Sequence, residues 1–241
     1  MSTPSLHLQT LFALDAQNRI VSTREPHASR GPIFALVRGP RACAWAVRVD
    51  VAPALAATFD RLAATEPPVT DLATPPRHAA RYRALARQHA AAATGAPAAL
   101  HLFSGPAFTF PAASPVPHQP DDATVSIDDE RLLAQHFSGW IPGEIAAGRG
   151  PLLARLVDGV PVSICFCARR SDVAAEAGLE TASGFRGRGY AAHVTAAWAA
   201  AIRAGGRIPL YSTAWDNQAS RSVARKLGLT AYACMWSLHG P

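Results

Sequence analysis

Lysine is almost absent from this 241-residue sequence: of 23 basic residues only Lys226 is a lysine, and the rest are arginines. With the heavy use of alanine, this skew reads as the mark of a GC-rich bacterial genome rather than of an arginine-specific task. Cysteine is scarce too, at four. Cys43, Cys165, Cys167 and Cys234 form no CxxC and no Cys/His spacing suited to a metal, so no metal site is expected. Cys165 and Cys167 lie two apart on one strand face, where side chains diverge too far for an unstrained disulfide. Reduced core thiols in a cytoplasmic protein are the expectation. No window approaches 18 uninterrupted apolar residues, which argues against a membrane-spanning helix. Met1 to Leu14 lacks a basic stretch followed by an apolar run, so no secretory signal is expected.

What is present is a core. Apolar residues make 49% and charged residues 17% of the chain, a balance that favours a folded protein over a disordered one. The net charge of +6 favours anionic partners. The arginines are scattered, however, with no aromatic-interleaved basic stripe, so nucleic acid is not the expected partner.

The chain has two textures, and a division at 1–117 and 118–241 is expected. In the first part, Thr10–Leu14 and Ile20–Thr23 read as a hairpin, and Ile33–Val37 with Ala44–Val49 as a second strand pair. Helices are expected over Pro53–Thr65 and Pro76–Ala93, the second with a solvated arginine face. Gly105 to Asp122 holds five prolines and reads as a loop or linker. In the second part, acidic residues open a helical run at Asp129–Phe137. Leu152–Val157 and Val160–Phe166 flank Asp158-Gly159, a strong hairpin signal. A strand at Glu176–Thr181 follows. A helix with Ala191, Val194, Trp198, Ala201 and Ile202 on one face comes next, closed by Gly205-Gly206. Ile208–Thr213 reads as a buried strand, Asn217–Leu227 as a helix, and Leu229–Leu238 as a last strand or strand pair. The fold class is therefore α/β (α+β).

The turn Arg186-Gly187-Arg188-Gly189-Tyr190-Ala191 lies between a strand and a helix start. Glycines let a phosphate approach backbone N–H groups there, and the arginines can add charge-assisted contacts. Arg186, Gly189 and Ala191 fit the phosphate motif of the GNAT superfamily of N-acetyltransferases, and Asn217 to Ser220 opens a second helix as in that family. The order helix, hairpin, strand, helix, strand, helix, strand over about 126–241 also resembles that family. The resemblance implies a mixed central sheet flanked by helices and an acetyl-CoA cosubstrate. Thr181 and Ser183 would lend backbone groups to the pantetheine arm, with Gly187, Arg188 and Tyr190 beside the phosphates. Asn217 and Ser220 would contact the arm, although Asn217 is equally explained as a helix N-cap. A dinucleotide site is disfavoured, because the next strand ends in Ser212-Thr213 and not in an acidic residue.

The implied reaction is direct transfer of the acetyl group to an amine of a small molecule or peptide. The amine must lose a proton, and Glu176 and Glu180, of equal strand parity, are the candidate bases, Glu180 being nearer the expected splay between strands. Many family members place a tyrosine where this chain has Ala224. That departure keeps a second reading open, a non-catalytic acyl-CoA sensor. Trp140 and Trp215 are candidates for an acceptor wall. The N-terminal part carries no motif; a degenerate second copy of the fold and an independent acceptor-side domain are both open, as is a homodimer.

Overall fold

A computed structural model describes residues 3–112, 122–124 and 127–240. Its N-terminal residues already depart from the sequence reading. Thr3 caps a helix, its Oγ1 accepting from the Leu6 N–H at 3.2 Å, and Pro4 occupies the first turn. Helix α1 thus runs Pro4–Leu11, and only Phe12–Leu14 (β1) forms the expected hairpin with Arg19–Thr23 (β2). The alternation at 10–14 belongs half to a helix end. The second expected pair is present as Phe34–Arg38 (β3) and Cys43–Arg48 (β4). Helices α2 (Pro53–Ala63) and α3 (Ala79–Thr94) follow, the latter closed by Gly95 in the left-handed conformation.

The start of the supposed linker belongs to a strand. His101–Thr109 (β5) lies between the last strand of the chain and another late one, in spite of Pro106. Gly105 permits this: a Cβ there would meet the Thr213 carbonyl oxygen at 1.7 Å, so the chain at 213 packs directly on its backbone. Residues 113–121 of the supposed linker lie outside the described residues. A short strand Asp122–Thr124 (β6) precedes a 3₁₀ segment at Ile127–Gln135, where an ordinary helix was expected.

From there the sequence reading holds closely. Strands β7 (Leu153–Val157) and β8 (Val160–Arg170) form a hairpin whose turn residues Asp158 and Gly159 have φ of 51° and 77°, as a two-residue turn requires. Strand β9 is Ala174–Thr181, helix α4 Tyr190–Ala204, strand β10 Ile208–Ser212, helix α5 Gln218–Lys226 and strand β11 Thr230–His239. All described strands join one mixed sheet in the order β1-β2-β4-β3-β11-β5-β10-β9-β8-β7-β6.

Alternation assigns the two faces. Leu102 and Trp236 meet the α2–α3 core, and Phe108, Tyr211, Cys165 and Cys167 meet α4 and α5. Phe103, Ala107 and Met235 point the opposite way, onto α1. Ile164 and Phe166 share that second side with Leu133, Phe137 and Ile145 of the 127–149 segment. Glu176, Gly178 and Glu180 alternate with Ala175, Ala177 and Leu179, which pack with α4. The two carboxylates therefore lie on the α1 side of the sheet.

Candidate active site

Strands β9 and β10 are parallel neighbours only briefly. They pair at Ala174 with Ile208, Ala175 with Pro209 and Glu176 with Leu210, after which they part. Beyond the fork, residues 177–181 keep their ladder to β8 but have none to β10. A free strand edge therefore faces a cleft of about 1390 Å³, larger than the usual range for drug-sized ligands.

At the outer end of this edge the chain tightens into a 3₁₀ turn, Ser183–Phe185, and enters α4 through Gly187 and Gly189, with φ of 79° and 86°. Both glycines would direct a Cβ into open space. The N–H groups of residues 187–191 find no protein acceptor among the described residues, while those of Ala192 and His193 already bond to Gly189. The turn is thus a set of unpaired donors at the positive end of a 15-residue helix, a fit for a phosphate. Its arginines are steadied from below. Arg186 Nε donates to the Thr181 carbonyl at 3.2 Å, and Arg188 Nη2 to that of Gly184 at 3.3 Å.

Across the cleft stands the start of α5. Asn217 Oδ1 accepts from the Ser220 N–H at 3.0 Å, so its capping role is real, and Asn217 also lines the cleft. Ser220 Oγ meets the Tyr211 hydroxyl at 2.6 Å. Burial pushes that phenol up to about 12. Ala224, 1% exposed, packs in the same cluster as Tyr211. The phenol near this helix therefore rises from β10.

Glu176 sits at the fork itself and is 5% exposed. Ser212 Oγ donates to its Oε1 at 2.5 Å, while its Oε2 has no protein partner. Burial pushes this carboxyl up to about 7, against the opposing pull of the Ser212 hydrogen bond and of Arg169. Glu180 is exposed, near the far end of the free edge. The fork opens four residues earlier than Glu180, so Glu176 is the nearer of the two to it.

All twelve residues singled out in the sequence line this one cleft: Glu176, Glu180, Thr181, Ser183, Arg186, Gly187, Arg188, Gly189, Tyr190, Ala191, Asn217 and Ser220. Trp140 and Trp215 do not; Trp140 packs on Phe166 and Arg149, and Trp215 lies under Arg221. Nothing in the local sequence pattern marks the other end. There the walls come from Phe12, Glu25, His101, Phe103, Arg169 and His239. These residues belong to the N-terminal part, β8 and β11, and no local spacing marks side chains brought together across such separations. Arg169 Nη2 lies 3.3 Å from Glu25 Oε1, with the guanidinium 5.9 Å from the centre of the Phe12 ring. His239 accepts or donates a hydrogen bond with Ser237 at 2.9 Å, and burial, helped by His101, Arg169 and Arg48, holds it down at about 4.

Among the described residues no cluster of three or more His, Cys, Asp or Glu could hold a metal ion, and no helix is long and apolar enough to cross a membrane. The four cysteines are free.

Residues 158–237 match the family model described as FR47-like protein. A search of curated proteins finds no match. Solved structures do match. A GCN5-related N-acetyltransferase-like protein from Streptococcus suis is similar at 12% identity and a TM-score of 0.51, over 88% of this chain and 85% of that one. A GNAT-family protein from Novosphingobium aromaticivorans is similar at 19% identity and a TM-score of 0.50, over 60% of this chain and 68% of that one. What is shared at such identities is the fold: a mixed sheet flanked by helices, which in the first of these extends through both parts of the chain. The protein has a GNAT-type fold, and the stretch that matches the FR47-like model lies in the part that forms the fork, the glycine turn into α4 and α5.

Proposed function

We propose that the protein is an N-acetyltransferase whose cleft binds acetyl-CoA and passes the acetyl group directly to an amine. One observation carries this reading: the unpaired N–H turn, the free edge of β9 and the buried Glu176 carboxyl open onto one cleft. Acetyl-CoA would supply an activated thioester. Residues 187–191 would take its phosphates through their N–H groups, with Arg186 and Arg188 adding charge. The edge of β9 through Thr181 and Ser183 would hydrogen-bond to the pantetheine arm as an added strand does, with Asn217 and Ser220 opposite. A backbone N–H of that edge would polarise the thioester carbonyl. Glu176 would accept the proton of the attacking amine, and a carboxyl that titrates near neutrality suits that task. Residues 1–117 are then the acceptor-side part and 118–241 the acetyl-CoA part.

The test is a thermal-shift titration with acetyl-CoA, CoA and NAD, followed by a thiol-release assay over a panel of amines. Stabilisation by both CoA species and not by NAD, together with thiol release, is the expected result. A second reading is favoured by Ala224, where a phenol is missing: an acyl-CoA sensor, which would show the same thermal shifts and release no thiol with any amine.

A further inference from the structure

The acceptor end of the cleft has a charge pattern of its own. Arg169 of β8 and Glu176 of β9 are cross-strand partners, so their side chains stand side by side at the fork. Both line the cleft. Glu25 and the Phe12 ring fix the Arg169 guanidinium in place, yet its Nε has no hydrogen-bond partner, and 28% of the side chain remains exposed. Beyond Arg169 a side cavity of about 270 Å³ adjoins the cleft and shares Arg169 and His239 with it. Its walls add Arg30 and Arg48. Besides Glu176, the carboxylates here are Glu25, on Arg169, and Asp50, which lies 2.7 Å from Arg48 and 3.9 Å from Arg30. Three arginines thus face these two carboxylates and Glu176, and the region carries an excess of positive charge while Glu176 is protonated.

We infer that the acceptor is a free amino acid, its amine directed to Glu176 and its carboxylate to Arg169. The inference rests on the acetyl-transfer reading above. Adjacent base and cation match a substrate whose amine and carboxylate sit on the same or neighbouring carbons. A peptide N-terminus has a neutral amide where the carboxylate would be, and a polyamine would bring a second positive charge against Arg169. Both lose the contact and retain the desolvation cost. In the reaction, forming the amide C–N bond breaks the thioester C–S bond. Glu176 takes the proton from nitrogen, and the sulfur leaves with the bonding pair as a thiolate, to be protonated from water. The products are an N-acetyl amino acid and CoA.

The experiment uses the full chain with acetyl-CoA and compares each of a set of amino acids with its amide and its decarboxylated amine. We expect kcat/KM for the best amino acid to exceed that for its amide by roughly a hundredfold, because a site built for a polar group rejects the analogue that lacks it. Arg169→Met should collapse that ratio towards one, and Arg169→Lys should restore part of it. The wild-type comparison stands even if neither variant folds. Equal use of amides and amino acids, with acetyl-CoA bound and thiol released, would overturn the inference and leave acetyl transfer intact. A preference that survives in Arg169→Met would overturn it as well. No thermal shift with acetyl-CoA and no thiol from any amine would remove the reading beneath it, and the inference with it.

Discussion

At the scale of single residues the molecule concentrates its cost on Glu176. A carboxyl that titrates near 7 in the folded chain and at the ordinary 4.5 when unfolded keeps its proton longer in the folded state. Its raised value therefore favours folding below about pH 4.5, and that contribution fades as pH rises towards 7. Above that, ionised Glu176 costs about 3 kcal/mol, a figure set by the size of the shift. Glu176→Gln should accordingly raise Tm at pH 8, with a gain that shrinks by pH 5. The same substitution should lower kcat by at least about a hundredfold and remove an acidic limb near pH 7 from the pH–rate profile. Arg169 from β8 and Ser212 from β10 are the neighbours that would displace that limb if altered. A variant with the wild-type limb and rate would place the base elsewhere. Ala224 invites the opposite experiment. It is packed against the Tyr211 cluster, so Ala224→Tyr should overpack the core and lower stability by about 1–3 kcal/mol instead of improving turnover. A gain in kcat without a lower Tm would show that the site has room for a second phenol.

At the scale of elements, the glycine turn into α4 is the part most exposed to a single change. Gly189→Asp would put a carboxylate where the donors converge and strain a backbone with φ of 86°. It should abolish the thermal shift with CoA; an unchanged shift would move the phosphate site away from α4. This turn, the hairpin at Asp158-Gly159 and the Asn217 cap were legible because each rests on a few consecutive residues with one conformational demand. Strand β5 was not legible. Pro106 and the prolines after it read as a linker, and the strand's partners lie about 100 to 140 residues onward in β10 and β11. Tertiary pairing overrode the local composition. Helix α1 was half legible, since Thr3-Pro4 is a capping signal that the alternation at 10–14 obscured. The end of the cleft lined by Phe12, Glu25, His101, Phe103, Arg169 and His239 had no local signal for the same reason as β5.

At the scale of the whole molecule, β5 ties the two parts of the chain into one sheet, with β11 on one side and β10 on the other. Residues 118–241 expressed alone would leave both of those edges open. Unpaired edges of that length invite aggregation, so the fragment should give no cooperative melt by circular dichroism. A cooperative melt of the fragment would mean that β10 and β11 can close on each other without β5. The composition of the whole chain has a consequence of a different kind. Its single lysine, exposed on α5, borders the cleft. A reagent that acylates lysine side-chain amines has one such target in these 241 residues. The mass gained at Lys226, with and without a ligand present, is therefore a reporter of cleft occupancy already written into the sequence.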